Sequence, residues 1–296
     1  MSNGLSKVTH KMVKKLFYKT VLEGEICTTI IKSELDSDQP SMIARFGSTE
    51  IKAILYPQFP FFIRPFVRKR IFGNMFTLSG FFPSNEQSIL KFSKMMLEDM
   101  KLLDVLGCWR IEERFLQKYF PLAKRIKLST LEPYLQKDPW SEVLKDKKVL
   151  VIHPFNTTIE NQYFKKREQL FSDKRVLPQF KSFETIRAVQ TIAGTDSTFS
   201  DWFEALDSMK AQMDKKDFDI AIIGCGAYGF SLAAHAKRMG KKAIHLGGPT
   251  QMLFGIKGKR WIENENFKDI INDCFVFPGD TDKIANASKV EDGCYW

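Results

Sequence analysis

Arg45-Phe-Gly-Ser-Thr-Glu50 sets a guanidinium, a carboxylate, two hydroxyls and a glycine in one short segment. That combination suits an anion or a sugar. Gly47 permits close backbone approach, Ser48 opens a predicted helix whose N-terminal N–H groups attract negative charge, and Glu50 can move a proton. Arg45 sits at the end of an apolar strand pattern, where an unpaired charge is costly, so it needs Glu50 or a ligand phosphate as partner. A plainer role for Glu50 is to complement the helix dipole from the first turn.

A second cluster is Gly224, Gly226 and Gly229, in G-x-G-x-x-G spacing between a β-rich run and a helical pattern. A dinucleotide site of that kind wants an acidic residue at the end of the next strand to hold the ribose. That strand ends Ala243-Ile-His245-Leu-Gly247-Gly248, without Asp or Glu. NAD(P) is therefore not expected. The turn could still grip a diphosphate through backbone N–H groups from Ala227 to Gly229, or simply pack a helix against its strand. Tyr228 could stack on a base or bond a phosphate. His153 and His245, both at strand ends, could act as bases, as hydrogen-bond donors to phosphate, or as structural histidines. Lys257, Lys259 and Arg260 form a cationic cluster that could clamp a diphosphate or lie solvated.

The elements that must position these residues alternate. Strands are predicted at 41–46, 105–109, 125–131, 149–153, 186–191, 218–223, 242–246 and 274–277. Helices are predicted at 7–35, from Ser48 to 56, at 85–103, 111–120, 139–145 and 199–215. This alternation argues an α/β fold: a Rossmann-like, mainly parallel sheet with helices on both faces, plus an N-terminal helical extension. The expected division is an extension over 1–38 and one α/β domain over 39–296. Ligands of such sheets bind beyond the carboxyl ends of the strands, where all the candidates above fall.

Of the 296 residues, 44% are hydrophobic and 27% charged, which suits a soluble globular chain. Five scattered cysteines, at 27, 108, 225, 274 and 294, form no metal or disulfide framework. No apolar run is long enough to cross a membrane. The expected setting is the cytoplasm, with contact to the inner face of the membrane. The net charge of +10 favours phosphate-bearing partners, and no nucleic-acid-binding signature accompanies it. Cations concentrate at 7–19 and 64–70. Residues 56–73 interleave phenylalanine, proline and arginine, which suits an anchor on an anionic membrane surface or, alternatively, a loop packed on the core.

Several motifs together resemble the GT-D-type glycosyltransferases and their GT-D-like relatives. They are Arg45-Phe-Gly-Ser-Thr-Glu50, His153-Pro-Phe155, the Trp202-Phe-Glu-Ala run, Gly224-Cys-Gly-Ala-Tyr-Gly229, His245-Leu-Gly-Gly248, Gly258-Lys-Arg-Trp261 and the closing Val290-Glu-Asp-Gly-Cys-Tyr-Trp296. The likeness runs from about residue 40 onward. It implies a Rossmann-like domain that transfers a sugar from a nucleotide-sugar donor to a glycan or lipid-linked acceptor, in bacterial surface-polysaccharide assembly. The family's Asp-x-Glu metal motif is broken here, because Ser48 replaces the first acid. A hydroxyl is a poor substitute for a carboxylate on Mg²⁺ or Mn²⁺, so no metal ligand is assigned and dependence on a divalent cation is left open.

The reading is a nucleotide-sugar glycosyltransferase. Glu50, His153 and His245 are its acid–base candidates. Arg45, Gly47, Ser48, Gly224, Gly226, Ala227, Tyr228, Gly247, Gly248, Lys257 and Arg260 are its donor-binding candidates. Two other readings stay open: a nucleotide-binding oxidoreductase, and a non-catalytic nucleotide-sugar-binding protein.

Overall fold

The computed structural model describes residues 20–194, 197–283 and 293–295. Its frame is a seven-stranded sheet: β1 (Met42–Ala44), β2 (Val105–Cys108), β3 (Lys124–Lys127), β4 (Lys148–His153), β5 (Ser182–Arg187), β6 (Ile220–Ile223) and β7 (Lys242–His245). The order across the sheet is β3-β2-β1-β7-β6-β4-β5 and every pairing is parallel. Parallel strands covered on both faces read as continuous apolar runs. Val149-Leu-Val-Ile152 and Ile220-Ala-Ile-Ile223 are such runs, in register at Val151↔Ile222.

Successive side chains leave a strand on opposite faces, and two cores result. Met42, Ala44, Leu150, Ile152, Ala221 and Ile223 face one of them. There they meet α2 (Ser48–Leu55), α3 (Arg64–Ser79), α4 (Glu86–Met100), α6 (Trp202–Met213) and α7 (Gly229–Arg238). Ile43, Val105, Val149, Val151, Ile220 and Ile222 face the other core. That side is covered by α1 (Glu25–Asp36), α5 (Asn156–Leu170), α8 (Pro249–Leu253) and α9 (Lys259–Ile262). The α/β class and the helices on both faces are as the sequence implied.

Several elements differ from the sequence expectation. Of the helix expected over 7–35, residues 1–19 lie outside the described residues. Helix α1 starts only at Glu25, because Gly24 holds a left-handed φ of 85°. Leu22, just before it, bridges Ile126 at the edge of the sheet. Cys27, Ile31 and Leu35 of α1 are buried in the second core. The helix expected over 111–120 is two 3₁₀ turns, Ile111–Phe115 and Gln117–Tyr119, wrapped around the buried Glu113 and Leu116. The strand expected over 125–131 stops at Lys127 and becomes a 3₁₀ turn, Leu128–Leu131; the segment after Pro139 is likewise 3₁₀, Trp140–Leu144. In place of a strand over 274–277 there is one bridge, Ile256↔Val276. The strand expected over 186–191 lies earlier, as β5. Only Ile186 of this edge strand is buried, so its sequence carries little apolar signal. The helix expected over 199–215 begins at Trp202, where the Asp201 carboxylate accepts from the Glu204 N–H at 2.8 Å.

Residues 56–73 pack on the core in part and leave several aromatic side chains exposed. Tyr56, Ile71 and Phe72 are buried. Arg64 turns inward, donating to the carbonyls of Phe59 and Pro57 at 3.1 and 2.6 Å. Phe61, Phe62 and Phe66 stand in solvent.

Candidate active site

A cavity of about 490 Å³ opens at the carboxyl edge of the sheet. The ends of β1, β2, β4, β6 and β7 supply Arg45, Trp109, His153, Gly224 and His245 to its wall. The junction of β7 with β1 joins the late strands to the early ones, the kind of place where open α/β sheets bind ligands.

Arg45 leaves the end of β1 with part of its side chain on the cavity surface and its Nε sealed from solvent, without a hydrogen-bond partner. Its guanidinium lies 5.2 Å from the centre of the Trp109 ring. Burial pushes its proton affinity below the usual arginine range, and the nearby Glu50 charge opposes that shift. Trp109 is held from behind: its indole N–H donates to the Phe46 carbonyl at 2.8 Å. On its other flank the Arg110 guanidinium lies 5.3 Å from the ring centre and pairs with Glu112 at 2.8 Å.

Glu50 occupies the first turn of α2 and is buried. Its carboxylate folds back over Gly47, so that a Cβ on Gly47 would fall 1.7 Å from Oε2. Among the described residues no hydrogen bond and no ion pair engages that carboxylate, although it borders the cavity beside Arg45. The helix cap is Gly47 rather than Ser48. Ser48 is the first helical residue, makes no capping bond with its side chain, and lines the cavity.

The two histidines form a dry floor. Burial pushes each proton affinity down to about 3. His153 Nδ1 accepts from the Phe155 N–H at 3.0 Å, which leaves the proton on Nε2. His245 has no full hydrogen bond at either ring nitrogen. The backbone of Arg45 lies near enough to oppose the shift weakly, while its charge adds to it.

The glycine fingerprint is packed by protein. A Cβ on Gly224 would lie 2.5 Å from Thr250 Oγ1 and 2.7 Å from the His153 ring; one on Gly229 would lie 2.4 Å from His245 Nε2. The N–H groups of Tyr228 and Gly229 are spent on the carbonyls of Cys225 and Gly226, which removes two of the three donors that the sequence offered to a diphosphate. Ala227 is buried and not part of the cavity wall. One face of the Tyr228 ring is taken by Trp202, stacked at 4.7 Å with planes 6° apart, and the residue is buried. The residue borders the cavity, and its hydroxyl lies 3.4 Å from Thr191 Oγ1.

Gly247 and Gly248 pass along the wall, and Gly247 holds a φ of 71° against the Arg45 side chain. Arg260 reaches the cavity from α9 and donates to the Tyr295 hydroxyl at 3.2 Å. Lys257 does not reach it. Its ammonium lies 5.5 Å from the centre of the Phe277 ring, and it joins no wall of the cavity.

Two acids were not singled out from sequence. Glu132 lines the cavity, accepts from the Tyr134 hydroxyl at 2.9 Å and has its proton affinity raised by burial. Glu113 lies beneath Trp109 and Arg110, whose N–H groups donate to its Oε1 at 3.2 and 3.0 Å. Burial pushes its carboxyl up to about 7. Both sit on or beside 3₁₀ turns, which have no periodic signature in sequence.

A divalent cation needs several oxygen or nitrogen donors around it. Among the described residues no group of three or more His, Cys, Asp or Glu side chains is placed to hold one, and beside Glu50 the available oxygen is the Ser48 hydroxyl.

No protein-family model matches the chain, and no curated protein matches it. The chain is similar to two solved structures. One, described as the selenomethionine-substituted structure of domain of unknown function 1792, superposes with a TM-score of 0.47 at 12% identity, over 82% of this chain and 83% of that one. The other is described as a new glycosyltransferase (DUF1792) from Streptococcus sanguinis. Its TM-score is 0.37 at 12% identity, over 89% of this chain and 96% of that one.

Proposed function

We propose that the chain is a glycosyltransferase with a nucleotide-sugar donor. The observation that carries this reading is the pair Arg45 and Glu50. They border one cavity as opposite charges, yet make no ion pair with each other or with any other described residue. Burying such charges is costly unless a ligand completes them. A donor diphosphate supplies the missing anion for Arg45 and for Arg260, which lines the same cavity. Ser48 and the N-terminus of α2 add hydrogen-bond donors on the same side. Gly47, Gly247 and Gly248 keep the wall thin enough for close approach.

In this scheme the acceptor hydroxyl attacks the anomeric carbon while the bond from that carbon to the diphosphate oxygen breaks. The electron pair of that bond leaves with the nucleoside diphosphate, whose charge the arginines stabilise. Glu50 takes the proton of the attacking hydroxyl. His153 and His245 hold protons too weakly to share that duty at neutral pH; they shape the floor as neutral rings. Glycine-turn residues Gly224, Gly226 and Tyr228 form another part of the wall. The acceptor class is a glycan or lipid-linked glycan, and the setting is surface-polysaccharide assembly.

A thermal-shift and transfer panel tests the reading. Nucleotide sugars and NAD(H) are each offered with Mn²⁺ or with EDTA. A ligand held at 100 times its Kd adds about 2.7 kcal/mol of stability. The expected result is stabilisation by a nucleotide sugar and none by NAD(H), loss of the shift in Arg45→Met, and turnover that changes little between Mn²⁺ and EDTA. Stabilisation by NAD(H) alone returns the chain to the oxidoreductase reading. Donor binding with neither hydrolysis nor transfer returns it to the non-catalytic one. Activity abolished by EDTA and restored by Mn²⁺ overturns the metal assignment.

A further inference from the structure

The outer face of α3 carries a feature that the cavity does not use. Phe61, Phe62 and Phe66 are 84, 69 and 84% exposed, and Phe76 is 43% exposed. Steps of three and four residues link Phe66, Arg70, Gly73 and Phe76 along one side of the helix. Ile71, Phe72 and Met75 turn the other way, into the core. Scattered exposed apolar side chains need no explanation, but three exposed phenylalanines within six residues mark an interaction surface.

The charges that this segment itself carries have one sign. Between Glu50 and Glu86 the chain contains no Asp or Glu. Lys69 and Arg70 stand on the exposed side, and among the described residues neither has a hydrogen bond or an ion pair. Arg64 and Arg68 are partly committed elsewhere: Arg64 holds the preceding turn, and Arg68 lies 3.4 Å from Glu86.

We propose that this face docks the protein on an anionic lipid bilayer. The aromatic tips at 61, 62 and 66 insert among the headgroups, and Lys69 and Arg70 lie against the anionic surface beside them. A second copy of the chain is a poor occupant, because it would bring the same cations to the contact in a protein of net charge +10. The bilayer supplies both an apolar layer and the opposite charge. The same helix reaches the rim of the cavity at Leu78 and Ser79, and at 1.5 Å per residue its 16 residues span about 24 Å. Docking would therefore hold the cavity rim about one helix length from the inserted tip. The inference does not depend on the donor assignment.

Vesicle co-sedimentation of the full chain tests it, using phosphatidylcholine alone and phosphatidylcholine with a minority of phosphatidylglycerol. Wild type is expected to bind the anionic vesicles at low salt, to bind less as salt screens the charges, and to leave neutral vesicles largely unbound. Phe61→Ser, Phe62→Ser and Phe66→Ser combined should abolish most of the binding without lowering Tm, because those rings are exposed. Lys69→Gln with Arg70→Gln should weaken it roughly 30-fold, from about 1 kcal/mol per cation. Wild type in the supernatant with anionic vesicles, equal binding to neutral vesicles, or a phenylalanine variant that binds like wild type would each overturn the proposal. So would a dimer in sedimentation velocity that dissociates in the phenylalanine variant, which would assign the face to a second copy.

Discussion

At Gly47 the space for a side chain is filled by the Glu50 carboxylate, the far end of a flexible chain; at Gly229 it is filled by the His245 ring, locked in the core. Both glycines start helices at the carboxyl edge of one sheet. The first turn leaves Arg45 and Glu50 at the cavity wall without an ion pair among the described residues. The second closes on itself, with two of its three N–H groups spent and its neighbouring histidines buried. A glycine pattern therefore reports that something comes close. Whether that something is a ligand or the protein itself depends on what the next strand sends toward it.

Substitutions can break this contrast. The largest expected effect is on turnover: Glu50→Gln should keep the fold and lower transfer by roughly 10²-fold or more, the scale of a proton-transfer group. Turnover equal to wild type would make Glu50 a helix-dipole partner only. Next come the glycines. Gly229→Ala must displace a buried ring and should cost about 1–3 kcal/mol in denaturant unfolding. Gly47→Ala meets only a movable carboxylate, so it should lose activity through Glu50 while its Tm stays near wild type. If the two variants lost the same stability, the two turns would not differ as described.

The pH dependence of stability sharpens the dry side of the comparison. His153 and His245 hold protons only near pH 3 when folded, against 6.5 as the ordinary value. Between those limits the unfolded chain binds protons that the folded chain refuses, so stability falls as pH drops from about 6.5 toward 3. Each histidine contributes a slope of about 1.4 kcal/mol per pH unit in mid-window. His245→Gln should remove one such share, read from urea midpoints between pH 4 and pH 6. An unchanged slope would mean that His245 protonates freely. The smallest expected effect is that of Gly226→Ala. Gly226 has a φ of 57°, and a Cβ added there would meet nothing within 4 Å, so only conformational strain of roughly 1 kcal/mol should appear.

The parallel sheet was legible because strands buried on both faces, such as 149–152 and 220–223, have no polar alternation to confuse the pattern. Asp201 gave away the start of α6 through its capping chemistry. The edge strand β5 was misplaced because Phe183 and Ile186 are diluted by Ser182, Glu184, Thr185 and Arg187. At the site, Arg45, Gly47, Ser48 and Glu50 were visible as one contiguous segment. Glu132 was not, because it reaches the cavity from a 3₁₀ turn whose only sequence mark is a following proline. Lys257 looked like a phosphate clamp by charge alone. Its place was decided by Phe277, which a bridge between Ile256 and Val276 carries alongside it. Tyr228 was similarly claimed by Trp202, a partner on a different helix.

The strand that ends in Arg45 has neighbours from opposite parts of the chain: Ile43 pairs with Val105 on one side and with Ile244 on the other. During synthesis the first partner emerges early and the second only after most of the protein has been made. Until then β1 has an open edge, available for mispairing with other chains. Closing it requires ordering a very long loop, the kind of step that slows folding. The charged half of the cavity is thus completed by one of the latest contacts the chain can make, so a slow or failed docking of β7 would yield a molecule with native helices and no assembled site.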